Sequence, residues 1–177
     1  MDRIQVSENF YLDEFIDPHT YFNDTDNGRS RLDIVLIAIA QKLRTLYEEP
    51  IFINNWWKTF KKYEKTRTKI QIIAIIENDD NIYKWSGIRT IRCRIGASKS
   101  AHKLGKAIDP KGNEEKMFHI IKNNAKEFYT MGIRRLEDIS ITKGWLHIDT
   151  LERNTKPNSI RVVDLKKSTE TIYFNYA

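Results

Sequence analysis

The sequence has very little cysteine and no long hydrophobic run. Its single cysteine, Cys93, excludes an internal disulfide and any zinc site built on several thiolates. No apolar stretch approaches the ~20 residues that a membrane-spanning helix needs, so we expect no membrane insertion. The first residues, MDRIQVSENFYLDEF, lack the basic and apolar regions of a secretory signal. We therefore expect synthesis in the cytoplasm. Because there is only one cysteine, we also expect any bound metal to be held by His, Asp and Glu.

The charge balance is moderately basic, with 30 Lys and Arg against 24 Asp and Glu, which gives a net charge of +6. Such an excess favours anionic partners such as cell-wall polymers, although a basic surface that serves only solubility explains it equally well. The lysines of residues 58–69 are typical of a solvated face, so we expect no nucleic-acid partner. A chain of 177 residues fits one domain, and we expect a single domain over residues 1–177.

Two segments predict helices with one buried face. Residues 31–47 repeat apolar side chains at three- and four-residue steps, which is the period of a helix. Residues 114–131 follow Asn113, a suitable N-cap, and are followed by Gly132, a suitable helix end. Between these segments, PIFINNWW is β-prone, residues 58–69 predict an exposed excursion, and IQIIAII predicts a buried strand or short helix.

Several short runs after Gly132 predict antiparallel strands. Residues 133–139, 145–150, 159–165 and 170–176 carry aromatic and β-branched residues in partial alternation. The whole pattern predicts an α+β fold, with a small, mainly antiparallel sheet and helices packed on one side. In this interpretation, strands contribute both His102 and His147.

Two motifs carry the residues with the chemistry of a metal site. SAHKLGKAID has the form S-x-H-x-x-G-x-A-x-D and contains His102 and Asp109, and GWLHID supplies His147. Taken singly, a histidine is often a core residue, and an aspartate before proline is often a turn former. Catalytic zinc, however, usually takes three ligands from His, Asp and Glu and leaves a fourth position open. The joint pattern therefore predicts a metal site.

The order of these motifs resembles the zinc D-alanyl-D-alanine carboxypeptidases and the related D,D- and L,D-peptidases, including phage endolysins. The fold of that family also underlies the hedgehog signalling domain. The segments SGIRT, SAHKLGKAID and WLHID match the family's pattern in order, and the resemblance covers most of the chain. It implies one zinc bound by His102, Asp109 and His147.

The resemblance also implies how substrate is held. Arg89 would lie where the family places an arginine against a carboxylate or peptide carbonyl of the substrate, a task that suits a planar guanidinium. Ser86 and Ser100 would add hydrogen bonds. The alternative for Arg89 is a surface salt bridge, since RTIRCR contains three arginines.

The sequence departs from the family at the general base. Many members carry a glutamate three residues before the last histidine, and Gly144 stands there in this chain. A hairpin whose turn centres on Thr142 would place Glu137 opposite His147, so Glu137 is our first candidate for the base. Asp149 shares a strand face with His147 and is the second candidate, or else it supports a ligand.

The resemblance therefore implies a zinc-dependent peptidoglycan peptidase, of the endolysin or cell-wall endopeptidase or carboxypeptidase type. It would cleave stem-peptide or cross-bridge amide bonds, acting at the cell wall after release or when carried in a virion. Its partners would be peptidoglycan and other phage virion proteins. The alternative is a catalytically silent, metal-binding structural or binding module of a phage particle, which the glycine at position 144 favours.

Overall fold

The computed structural model describes residues 1–90, 93–97, 99–153, 156–163 and 170–173. Its α-helices are α1 (Leu12–Phe15), α2 (Pro18–Asn23), α3 (Val35–Tyr47), α4 (Trp57–Tyr63), α5 (Lys69–Asn78), α6 (Glu114–Asn123) and α7 (Ala125–Met131). Its strands are β1 (Ala107–Ile108), β2 (Arg135–Glu137), β3 (Ile148–Asp149), β4 (Ser159–Val163) and β5 (Glu170–Tyr173). Short 3₁₀ turns lie at Arg29–Arg31 and His102–Leu104.

The five strands form one mixed sheet in the order β1-β3-β2-β4-β5. The pairs β1–β3, β3–β2 and β4–β5 are antiparallel, and β2–β4 is parallel. The predicted α+β class and the mainly antiparallel sheet are therefore confirmed. The strands predicted after Gly132 correspond to β2 to β5, although residues 164–165 and 174–176 of those predictions lie outside the described residues.

The two faces of the sheet have different chemistry because side chains alternate along each strand. Ile108, Ile148, Leu136 and Val162 lie in register across four strands, and all are buried. This apolar face joins the core formed with α6 and α7, whose buried residues are Met117, Ile121, Ala125 and Phe128. The opposite face therefore carries Ala107 of β1 and the polar residues Arg135, Glu137 and Asp149 of β2 and β3.

The predicted helices occur with different boundaries. The helix expected over residues 31–47 begins only at Val35, because the preceding residues form a separate 3₁₀ turn. The helix expected over residues 114–131 is interrupted at Asn124, where the backbone leaves the helical region. Asn113 is the N-cap, as predicted, and accepts a hydrogen bond from the backbone of Lys116. In the part of the chain described, no helix is long and apolar enough to cross a membrane.

The prediction for residues 58–69 is wrong in its first half. This part belongs to α4, and Phe60 is buried with its ring centroid 4.7 Å from that of Phe22 and 5.0 Å from that of Trp57. The β-prone run before it forms no strand, and Phe52 makes only an isolated bridge to Lys111. The following IQIIAII is helical and belongs to α5.

Candidate metal centre

His102 lies in the 3₁₀ turn His102–Leu104, so the prediction that a strand carries it is wrong. Gly105 ends this turn with φ 68°, a left-handed conformation that glycine adopts without strain. The backbone is also crowded there, since a Cβ on Gly105 would lie 1.7 Å from the carbonyl oxygen of Arg31. The glycine of the motif therefore fixes the turn that carries the histidine.

The sheet brings Asp109 and His147 together. Residues 107–111 run antiparallel to residues 145–149 in one continuous register, which places Asp109 opposite His147. Both side chains lie on the polar face of the sheet, and Asp109 Oδ1 is 2.9 Å from His147 Nδ1. His102 Nε2 is 3.2 Å from each of these two atoms. The exposed fractions of His102, Asp109 and His147 are only 3%, 6% and 5%.

These three atoms have the spacing that a divalent metal requires. In a tetrahedral zinc site with bonds of ~2.0–2.1 Å, two ligand atoms lie about 3.3–3.4 Å apart. The distances of 2.9, 3.2 and 3.2 Å in the protein are close to this value. His102, Asp109 and His147 therefore form a buried group that could hold a metal ion. The two imidazoles and one carboxylate suit zinc and also suit other divalent metals.

The outer nitrogen of each imidazole ring has an acceptor. His102 Nδ1 lies 2.7 Å from the carbonyl oxygen of Gly87, which can only accept, so this nitrogen carries the proton and Nε2 keeps its lone pair. His147 Nε2 lies 3.3 Å from Asp149 Oδ2, and Arg135 Nε donates to the same oxygen at 2.5 Å. Such outer contacts fix the orientation of metal-binding histidines. Both inner nitrogens face Asp109.

The three groups of the site differ in protonation near neutral pH. Burial lowers the pKa of His102 from its ordinary value. Burial opposes the charge on Asp109, but the adjacent His102 and His147 hold the pKa of Asp109 well below its usual value. Burial also acts against the charge on His147, yet hydrogen bonds to Asp109 and Asp149 outweigh it and raise the pKa of His147 to about 9. A metal ion would therefore have to displace one proton, from His147.

Arg89 lies at this centre. Its Nη2 donates to Asp109 Oδ2 at 3.1 Å and its Nε donates to the carbonyl oxygen of Trp85 at 2.6 Å. A Cβ on Gly96 would lie 3.5 Å from both Arg89 Nη1 and Ser100 Oγ, so both side chains lie beside Gly96. The structure therefore brings Arg89 and Ser100 towards the same edge of the centre.

Ser86 contacts the centre through its backbone. Its carbonyl oxygen accepts a hydrogen bond from the backbone of Asp109 at 2.6 Å, and its N–H donates to Asn54 Oδ1 at 3.0 Å. The next residue, Gly87, packs so closely that a Cβ there would lie 2.1 Å from the carbonyl oxygen of Phe15. Residues 86–87 therefore hold both Asp109 and the acceptor for His102.

The predicted hairpin register is confirmed, because Arg135 pairs with Asp149 and the next pair along continues the same alignment. Glu137 consequently lies opposite His147, and its backbone N–H donates to the carbonyl oxygen of His147 at 3.3 Å. The Glu137 side chain is half-buried and forms no ion pair or hydrogen bond within the described ranges. Asp149 is fully buried and bound by Arg135, His147 and the backbone of Leu151.

The position at which the resemblance implies a glutamate has an unusual backbone. Gly144 has φ 80°, and a Cβ there would have no neighbour within 4 Å. A glutamate would be strained in this left-handed conformation and would face open space. The chain therefore departs from the family's pattern at position 144 in its backbone conformation as well as in its residue type.

Sequence reasoning missed Lys111, which continues the same face of the sheet. Its Nζ lies 4.9 Å from the ring centroid of Tyr83 and 4.8 Å from that of Trp145, and burial lowers the pKa of Lys111. The two-residue spacing from Asp109 to Lys111 is visible in the sequence and indicates a shared face if residues 107–111 are extended.

In comparisons with known proteins, no family model, curated protein or solved structure matches the chain.

Proposed function

We propose that the protein is a zinc-dependent peptidoglycan peptidase that cleaves stem-peptide or cross-bridge amide bonds, as the resemblance of its motifs to the D-alanyl-D-alanine peptidases implies. The observation that carries the proposal is the buried group of His102, Asp109 and His147, whose facing atoms are separated by 2.9 to 3.2 Å. The net charge of +6 suits an anionic cell wall. The enzyme would act on the wall after release or from within a virion.

Each residue around the group has a distinct task in this proposal. Zinc, when bound, supplies a Lewis acid that polarises the peptide carbonyl. Glu137 is the general base that takes a proton from the attacking water, which is supported by its half-buried carboxylate having no hydrogen bond or ion pair among the described residues. Asp149 is already engaged by Arg135, so it holds the outer nitrogen of His147 instead.

Arg89 has two tasks in this proposal. One side of its guanidinium binds Asp109 Oδ2 and thereby directs Asp109 Oδ1 towards the two histidines. Its Nη1, on the side of Gly96 and Ser100, is the group that would bind a carbonyl or carboxylate of the substrate. A lysine could not perform both tasks, because it presents a single point of charge.

The test is incubation of the zinc-loaded protein with purified peptidoglycan, followed by mass analysis of the released fragments. We expect Glu137→Gln to keep fold and zinc while hydrolysis falls by about 10²–10⁴-fold, the usual contribution of general acid–base catalysis. The matched variant Asp149→Asn should act mainly on zinc affinity. If Asp149→Asn abolishes turnover at full zinc occupancy and Glu137→Gln does not, the base is Asp149.

The second candidate function is a silent metal-binding module of a phage particle. The left-handed Gly144, which faces open space where the family carries its base, favours this alternative. A zinc-loaded wild-type protein that cleaves no D,D, L,D or L-alanyl-D-glutamate bond would replace the peptidase proposal with this one.

A further inference from the structure

Lys111 and Trp145 extend the metal centre along the sheet. They pair with each other in the register that also opposes Asp109 to His147. Residues two positions apart on a strand share a face and are separated by about 6.5–7 Å. Lys111 therefore lies beside Asp109, and Trp145 lies beside His147, on the polar face of the sheet.

The rings of Tyr83 and Trp145 lie against the end of the Lys111 side chain, and the Phe52 ring packs beside Tyr83. We call Phe52, Tyr83 and Trp145 the aromatic clamp. The Lys111 ammonium lies 4.9 Å from the Tyr83 ring centroid and 4.8 Å from the Trp145 ring centroid. The Phe52 ring is 5.8 Å from the Tyr83 ring, and these two residues are 39% and 42% exposed. The clamp therefore holds a cation at a surface that solvent and ligands can reach.

The hydrogen-bonding capacity of Lys111 is not used within the described ranges. An ammonium has three N–H donors, and the two rings offer attraction to its charge but no conventional acceptor. Other lysines near this region do pair with carboxylates, as Lys106 does with Asp33 at 3.0 Å and Lys116 with Glu49 at 2.7 Å. Lys111 has no such partner among the described residues. Its half-buried position makes an anionic ligand favourable, since a charged donor is costly to leave unpaired.

We propose that Lys111 and the aromatic clamp form a substrate subsite that binds a free carboxylate of the peptidoglycan stem peptide. This inference rests on the proposed peptidase function. Lys111 lies two residues along the strand from Asp109, about 6.5–7 Å away at the backbone, so we infer that the carboxylate belongs to a residue close to the cleaved bond. A carboxylate there would accept charge-assisted hydrogen bonds from Lys111, and its aliphatic neighbours would pack on the rings.

The test compares an acidic synthetic stem peptide with versions in which each free carboxylate is converted to a carboxamide, one at a time. For the zinc-loaded wild type, we expect amidation at one position to lower kcat/KM by about 10-fold or more, as expected for a hydrogen bond to a charged group. The ratio of kcat/KM for the acid peptide to kcat/KM for its amide should fall to about one in Lys111→Met. It should persist in Lys111→Arg, which keeps the charge.

The matched control is Lys143→Met, which removes the same charge from an exposed residue in the turn between β2 and β3. It should keep the wild-type ratio of acid to amide. A wild type that cleaves acid and amide equally at every position would overturn the subsite and leave the peptidase proposal intact. So would a Lys111→Met variant with an unchanged ratio.

Calorimetric binding of the same peptides separates this inference from the proposed function. A protein that hydrolyses nothing but binds the acid more tightly than the amide, and loses that preference in Lys111→Met, would support the subsite and refute the peptidase. A protein that neither cleaves nor binds any of the peptides would refute both.

Discussion

Zinc binding should release one proton at neutral pH, because the metal competes with the proton on His147. The pKa of this residue is raised to about 9, whereas that of His102 is lowered and Asp109 is already ionised. Since pH 7 lies about two units below the pKa of His147, displacement of its proton costs about 3 kcal/mol and weakens apparent zinc affinity about 100-fold. Affinity should therefore rise about tenfold per pH unit between pH 6.5 and pH 8.

The assay is zinc titration by calorimetry in buffers that differ in ionisation enthalpy, since the dependence of heat on buffer gives the number of protons released. We expect about one proton at pH 7 in the wild type. His119→Gln is the matched control, because His119 lies exposed on α6 and should not change this number. Zinc binding with no proton release at pH 7, or with affinity independent of pH, would refute the protonation state assigned to His147.

Three further predictions concern the surroundings of the site and one distant carboxyl group. Gly87→Ala should lower the free energy of unfolding by about 1–3 kcal/mol, measured in urea, because the new Cβ would lie 2.1 Å from a carbonyl oxygen and must displace the backbone. Arg135→Met should keep the fold but lower the affinity for zinc about 10–100-fold, measured by competition with a chelator. The reason is that Asp149 loses the partner that orients it towards His147. The free energy of unfolding of Glu14→Gln, taken relative to that of wild type at the same pH, should be higher at pH 8 than at pH 5. Burial raises the pKa of Glu14 from 4.5 to about 7, so the wild type loses about 3 kcal/mol as pH rises through this range. If the free energy of unfolding differs between variant and wild type by the same amount at pH 5 and pH 8, this prediction is contradicted.

The helices that could be predicted are those specified by local sequence. The period of α3 and the Asn113 cap of α6 depend on residues within a few positions of one another. α4 could not be predicted in this way because its lysines obscure two aromatic residues, Trp57 and Phe60. Their partner Phe22 comes from α2, far away in the sequence. Tertiary packing, and not local pattern, decides that segment.

The candidate site was predictable where motif order and strand alternation suffice. These two signals indicated the three residues of the metal group and the register that opposes Glu137 to His147. They could not indicate that His102 lies on a 3₁₀ turn, or that the carbonyl of Gly87 holds its ring. Nor could they indicate the contact of Lys111 with Tyr83, since no periodic pattern connects these two segments.

The parallel pairing of β2 with β4 makes the order of assembly matter. β2 and β3 form a local hairpin, but the second neighbour of β2 is a strand that follows β3 in the chain. A nascent chain emerges at about 5–20 residues per second, so His147 leaves the ribosome before Ser159–Val163 does. Until β4 docks, β2 keeps an open edge that another strand can join. A chain stalled before β4 has been made would therefore present an incomplete sheet that is prone to association.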